Sequence, residues 1–424
     1  MKRYSKWIVC GLLFLATLLN YLDRQTISVL STTIADEMHL NDRDLGRLFF
    51  AFMFTYGLAQ ILVGPVLDRF KVVTAFALAV TAWSFAGATS ALAGGFLGLF
   101  SARMLLGLCE SPNWPLALRV VARFFPPNQR SLAVGIFQNG LSAGALIAPP
   151  AVIWLTRTWN WRIAFVACGA LGLLWAAAWL SWFNLTAEGR EMKRVEPEAP
   201  ARVPQAPDST PGNLGEILRS RAFLGLVLAT VVLNPLEYFY VTWLPRYFDK
   251  YAGVGFGKEL AARLIVAYFA LDFGFFAGGA LASLFATRWG PARGRLIMSA
   301  LGALCMTLVP LVTQTHNLDV ITALISVAAF GSGCTVVNYL AFVAEVSSKR
   351  ISTAAGLLGG LGSLAGGGFM LLIGGAIEQS HSFRTVFFMT GVMPFVGFLG
   401  LWLSVRKSKA APIAGSAALA ADRP

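Results

Sequence analysis

The sequence predicts an all-α membrane protein of twelve transmembrane helices arranged as two pseudo-symmetric six-helix bundles. Three observations predict it. Hydrophobic residues make up 56% of the 424 and charged residues 13%, against about 25% charged in soluble domains, so the chain has too little polar surface to cover itself in water. Eight long windows carry no charge at all (48–67, 72–102, 131–156, 163–187, 296–318, 320–344, 351–377 and 385–405), and each can cross a hydrocarbon layer of about 30 Å as a helix. Sequence features in the first half also recur in the second, about 220 residues on, as an internal duplication requires.

Taken in order, the first span covers about 7–30 and the second 48–67. The window 72–102 holds the third span and the start of the fourth, separated by Gly94-Gly95, and the fourth runs over about 96–118. The fifth and sixth follow at 131–156 and 163–187, closing a first bundle over residues 1–184. Residues 185–221 are the one long polar stretch, with Pro197, Pro200, Pro204, Pro207 and Pro211 among Glu, Arg and Ala. Such a composition buries no core and reads as a mostly disordered linker. The second bundle, 222–405, begins with two spans interrupted by charge, at about 222–247 and 263–287, and ends with four charge-free ones. Residues 406–424 read as a disordered tail.

The repeat is visible in two places. Gly64-x-x-x-Asp68-Arg69 follows the second span, and Ser283-x-x-x-Thr287-Arg288 follows the eighth, an offset of 219. Arg130 precedes the fifth span and Arg350 the eleventh, an offset of 220. Six spans plus six, divided by a polar hinge, is a transporter architecture. Of the 34 Lys and Arg residues, 23 fall on the side of the N-terminus, nine on the other side, and Arg24 and Arg103 within the membrane. The positive-inside rule therefore predicts a multi-pass inner-membrane protein with both termini cytoplasmic.

Several function classes fall away. The net charge of +13 sits at the ends of apolar runs rather than in a stripe, which argues against nucleic acid as a partner. The five cysteines have no metal or redox spacing and read as small buried hydrophobes. His39, His316 and His381 lie in predicted loops far apart, so no metal site, cofactor or catalytic triad is expected, and an enzyme is disfavoured. The first apolar segment is too long and too polar in places for a cleavable signal peptide.

Charge inside the membrane is the functional signal, because each buried ionisable group costs at least about 2.5–3.5 kcal/mol. The candidates are Asp23, Arg24, Arg103, Glu110, Glu237 and Asp272. Asp23 and Arg24 are adjacent, hence about 100° apart on a helix, so one can face a cavity while the other meets a neighbouring helix. Arg103 and Glu110, seven apart, share a face but lie about 10 Å apart along the axis, too far to pair directly yet suited to partners from the first span. A structural ion-pair network is one reading. A proton and anion site is the sharper one: a carboxylate in low dielectric takes up a proton more readily, and arginine stays charged and binds carboxylates bidentately. The constellation is not repeated in the second half, where polar contacts would come from Asn234, Tyr238 and Asn338. Glu237 and Asp272 remain open between site, gate and structural roles. Asp68 and Arg69 read as a conformational latch, with Asp68 facing a helix N-terminus or Arg119.

These residues carry a resemblance. The Gly64-to-Arg69 loop, its weaker second copy and the twelve spans resemble the major facilitator superfamily. Asn20-Tyr21-Leu22-Asp23-Arg24-Gln25, Arg103 with Glu110, Phe137-Gln138-Asn139-Gly140 followed by Ala148-Pro149-Pro150, and Trp243-Leu244-Pro245-Arg246-Tyr247 resemble its anion:cation symporter branch. Within that branch the chain is most similar to bacterial hexuronate transporters, with aldonate (galactonate) carriers next. The resemblance implies proton-driven uptake of a sugar acid by alternating access, with protons, a small organic acid and the lipid bilayer as partners and a monomer as the working unit. Asp23 and Glu110 would couple protons. Arg24 and Arg103 would be their basic partners, Arg24 nearest the substrate, with Tyr21 and Tyr56 lining the cavity and Asn20 and Gln138 in the matching motifs. Other carboxylates, such as tartrate, phthalate or a monocarboxylate, are the alternative cargo. The loop motif departs from the family pattern at Arg69-Phe70-Lys71, where Lys71 adds bulk and charge to the latch; Leu141 stands where relatives often have a polar residue.

Overall fold

A computed structural model describes residues 5–67, 70–125, 127–194, 218–219, 221–346 and 351–406. The helices of the first half are α1 (Ser5–Val29), α2 (Ser31–Met38), α3 (Asp42–Leu67), α4 (Val72–Thr89), α5 (Phe96–Glu110), α6 (Asn113–Phe124), α7 (Pro127–Thr158), α8 (Trp161–Leu185) and the short α9 (Ala187–Arg194). Those of the second half are α10 (Arg221–Thr242), α11 (Lys258–Trp289), α12 (Pro291–Met306), α13 (Leu318–Val346), α14 (Ile351–Ser380) and α15 (Arg384–Arg406), with helical turns over Leu244–Tyr251 between α10 and α11. Among the described residues, eleven helices are long and apolar enough to cross a membrane. Their outward faces expose large apolar side chains such as Leu62, Phe85, Leu97, Leu174, Phe276 and Leu372, a surface that only a lipid environment covers.

The remaining segment is the fourth span, and it differs from expectation. In place of one helix over about 96–118, α5 ends at Glu110 and α6 resumes at Asn113, with a turn at Ser111-Pro112. Proline has no N–H to continue the ladder and its ring crowds the preceding turn. The break makes Glu110 the last residue of α5, where the helix dipole disfavours a negative charge. The linker also differs at its start: residues 187–194 form α9, with Met192 buried and the Gly189 N–H donating to the Thr186 hydroxyl at 2.9 Å. Its proline-bearing remainder (195–217) and the tail (407–424) lie outside the described residues.

Helix starts away from the N-terminal side carry side-chain caps. Asn41 accepts from the Asp44 N–H at 2.8 Å, Asn160 from the Ile163 N–H at 3.1 Å, and Asn317 from the Asp319 N–H at 2.9 Å, each meeting a donor that the first helical turn leaves free. Small residues let the long helices approach. A Cβ at Gly46 would run into the Met370 carbonyl of α14, and one at Gly333 into the Leu271 carbonyl of α11, the close backbone approach on which membrane helix packing depends.

The core is two large apolar clusters. One stays in the first bundle around Phe76, Trp83, Trp175 and Trp179. The other runs across both bundles, joining Ile27, Phe49 and Leu99 to Trp243, Phe383 and Phe387, with the Phe49 and Trp243 rings edge to face at 5.3 Å. The bundles are therefore sealed together at the end that carries the α1–α3 connection.

Candidate functional site

Below that seal lies a chamber of about 430 Å3 including its open mouth, bounded by α1, α3, α5 and α10, with Tyr21, Arg24, Arg103 and Tyr238 in its wall. The four charges of the first bundle divide by depth. Arg24 and Arg103 reach the chamber, while Asp23 and Glu110 stand behind them, 3% and 0% exposed. Arg24 Nε donates to Glu110 Oε2 at 2.7 Å, so the partner from the first span that the sequence called for is Arg24. Asp23 turns the other way: its Oδ1 faces Gly87 of α4 and has no hydrogen-bond partner. The adjacent pair thus splits between chamber and bundle interior, as their 100° separation requires.

Aromatic faces hold the guanidiniums. The Arg24 Cζ lies 4.4 Å from the Tyr56 ring centroid and 5.0 Å from those of Tyr21 and Phe52, and Arg103 Cζ lies 4.6 Å from Phe52. Phe52 therefore serves both cations, and each such contact contributes about 0.5–2 kcal/mol depending on its desolvation. Arg103 is 3% exposed, and its Nε and Nη1 have no hydrogen-bond partner. Open donors on a buried guanidinium at a chamber wall can make charge-assisted hydrogen bonds to an anion. Asn20 is buried, with its side chain directed at the Glu110 carboxylate.

The second bundle faces the chamber with Tyr238, Val241 and Thr242, and further polar groups lie around them. Asn234 donates to the Tyr339 hydroxyl at 3.0 Å and keeps a buried, unpaired Oδ1. The Tyr238 hydroxyl lies 3.5 Å from that of Ser363. Glu237 is half-buried, and Asp272 receives the Ser142 hydroxyl of α7 at 2.7 Å, a hydrogen bond between bundles. Asn338 is placed elsewhere: its Nδ2 donates to the carbonyls of Gly278 and Cys334, tying α13 to α11. Gln138 is half-buried on α7 and makes no hydrogen bond to this group among the described residues.

Of the loop motif, Asp68 and Arg69 lie outside the described residues and Lys71 is exposed. Arg119 of α6 does reach this loop: its Nη1 donates to the Leu67 carbonyl at 2.6 Å and its Nη2 to that of Phe70 at 3.3 Å. It grips the last turn of α3, where a cation suits the dipole.

One assembly went unanticipated. At the sealed end Arg246, fully buried, donates from Nε to Asp42 Oδ1 at 2.7 Å. The Tyr251 hydroxyl donates to Asp42 Oδ2, and the Asp42 N–H to Glu378 Oε2 at 3.2 Å. Three residues of the second half, from the Leu244–Tyr251 turns and from α14, thus close on the first residue of α3. Nearby, Arg157 of α7 donates to the Phe256 carbonyl. Arg246 stood in the Trp243-to-Tyr247 motif and Asp42 at a helix start, but partners 204 residues apart leave no local pattern.

Two helical bundles packed around a central chamber with two cations in its wall make a membrane transport protein. The Major Facilitator Superfamily model matches residues 13–370, and the chain belongs to that family. It is 30% identical to the hexuronate transporter of Escherichia coli (strain K12), covering 96% of both chains. It is 28% identical to the probable galactarate/D-glucarate transporter of Bacillus subtilis (strain 168), covering 93% of this chain and 90% of that one. Identity to the D-galactonate transporter of Escherichia coli O6:H1 is 25%, over 94% and 95%. In fold the chain resembles crystal structures of a bacterial homologue of the human lysosomal transporter Spinster, with TM-score 0.71, 20% identity and 96% of both chains covered.

Proposed function

We propose that this protein imports a sugar-acid anion, a hexuronate or an aldonate, together with protons by alternating access. The observation that carries the reading is Arg103 at the chamber wall, buried with two open donors and with Arg24 beside it held by a single carboxylate. Relatives named for sugar acids over almost the whole chain support the substrate class. With both termini cytoplasmic, the sealed end is the outer one and the chamber serves the inside.

In this scheme a proton on Glu110 releases Arg24, and Arg24 and Arg103 then receive the carboxylate. Asp23, whose Oδ1 is unpaired behind them, is the second proton carrier. Tyr21, Tyr56 and Asn20 shape the anion end, and Asn234 and Tyr238 meet the sugar hydroxyls. Arg119 and the loop of Asp68, Arg69 and Lys71 latch the inner face. The test is uptake into proteoliposomes loaded with the pH dye pyranine. Adding D-glucuronate or D-galactonate outside should acidify the lumen, and Asp23→Asn should abolish that signal. No acidification by the wild type with either acid overturns the coupling. A thermal-shift panel including tartrate and phthalate separates the alternative cargoes.

A further inference from the structure

The second bundle, which faces the arginines across the chamber, has unsatisfied acceptors of its own. Glu237 lies within electrostatic reach of Tyr21, Asp272 and Tyr339, groups on α1, α11 and α13, so it sits between the bundles and not on the lipid face. It is half-buried, and among the described residues its carboxylate makes no ion pair and no hydrogen bond. Asp272 Oδ2 and Asn234 Oδ1 are both buried without a hydrogen-bond partner. Opposite stand Arg24 and Arg103, the latter with free donors. Charge around the chamber is therefore polarised between the bundles: open donors with positive charge in the first, and in the second open acceptors with negative charge, Glu237 standing next to the wall residue Tyr238.

We infer that this polarisation selects a monocarboxylate polyol and excludes the matching dicarboxylate, with Glu237 as the discriminating residue. The inference rests on the anion reading above. A monoacid satisfies both walls at once. Its carboxylate meets the guanidiniums, and its hydroxyls donate to Glu237, Asp272 and Asn234 in charge-assisted bonds. A diacid of the same length presents a second carboxylate to two acids. It can donate nothing from that end, and like charge in a low-dielectric site is strongly repulsive. Discrimination built on an unpaired or repelled polar group is large, whereas fit alone discriminates weakly.

The experiment uses two substrate pairs that differ only at one terminal carbon: D-glucuronate with D-glucarate, and D-galactonate with galactarate. Uptake of the labelled monoacid by the full chain in proteoliposomes is competed with its unlabelled partner. For the wild type the diacid should compete at least tenfold more weakly than the unlabelled monoacid. Glu237→Gln, which keeps shape and removes charge, should narrow that ratio at least fivefold, and Glu237→Asp should keep it wide. Equal competition in the wild type overturns the inference, as does an unchanged ratio in Glu237→Gln. Asp272→Asn carries the same comparison should Glu237→Gln fail to fold. If the wild type takes up neither monoacid, the anion reading itself falls, an outcome distinct from any change in ratio.

Discussion

Replacing Asp42 with asparagine is expected to loosen the sealed end and expose the chamber to reagents on that side. Asp42 is the counter-charge of Arg246, which is 0% exposed and whose Nη1 and Nη2 have no other partner. Removing one member of a buried pair costs about 3–5 kcal/mol, because the surviving charge is stranded. An asparagine oxygen can still accept from Arg246 Nε, returning about 1 kcal/mol, and the Glu378 carboxylate lies in the same cluster. The net penalty is then about 2 kcal/mol, and it falls on the sealed state alone, since an opened Arg246 is hydrated. At about 1.4 kcal/mol per decade the opening equilibrium shifts roughly thirtyfold. The assay is labelling of a cysteine introduced at Ser28, a buried residue of the chamber wall, in a background without the five native cysteines. A membrane-impermeant maleimide is added on the side of Asp42. Labelling in Asp42→Asn should be tens of times faster, and a second substitution of Arg246 by Met, which removes the stranded charge, should return part of the difference. A rate within twofold of wild type would refute the reasoning.

Other predictions are more local. Asp249 lies in the turn after α10, where burial pushes its carboxyl above the usual range; Thr32, the Asp36 charge and Arg246 also act on it. A carboxyl raised in the folded state opposes folding at neutral pH and ceases to do so as pH falls through its folded value. Asp249→Asn should therefore raise the melting temperature at pH 7.5, with the gain shrinking as pH is lowered; a gain that grows with acidification contradicts the assignment. Gly333→Ala forces a methyl into the α11 backbone, so a loss of about 1–3 kcal/mol should show as a lower melting temperature in detergent. Arg24→Lys keeps charge but loses the planar fork beside three aromatic rings, and half-saturation for the sugar acid should rise at least tenfold in the uptake assay.

The spans were legible because a bilayer demands long charge-free windows, and eight of them stand out directly. The charged constellation was legible for the same reason: ionisable residues inside such windows are costly and few. Helical geometry also anticipated that Asp23 and Arg24 diverge and that Glu110 reaches back to the first span. Three things stayed hidden. The break at Ser111-Pro112 follows from Pro112 itself, but apolar periodicity continues across it, so the window reads as one span. Asn338 looks like a cavity residue by polarity, yet its amide is used up by the carbonyls of Gly278 and Cys334. Arg246 was counted among the cations on the outer side and Asp42 was not singled out, because charge placement gives a side and not a partner. Pairing between bundles is a property of the closed conformation, and no spacing along one chain encodes it.

The distribution of charge also constrains the order of events on the proposed reading. Two guanidiniums share the Phe52 face, and among the described residues one carboxylate, that of Glu110, forms an ion pair with either of them. While Glu110 is ionised it saturates Arg24 Nε and lowers the field that an incoming anion senses. Once it is protonated, two cations face the chamber with no acid in contact, and an anion restores the balance. Proton first and anion second is thus the sequence that avoids both an unpaired acid at the end of α5 and a competing carboxylate at the receptor. Asp23 fits the same logic from behind: turned toward Gly87 and away from the chamber, it can change charge without touching the substrate. A proton there alters how tightly Arg103 is held and not what the sugar meets. Asp23→Asn should accordingly remove proton movement while leaving exchange of one sugar acid for another measurable, whereas Arg103→Met should remove both.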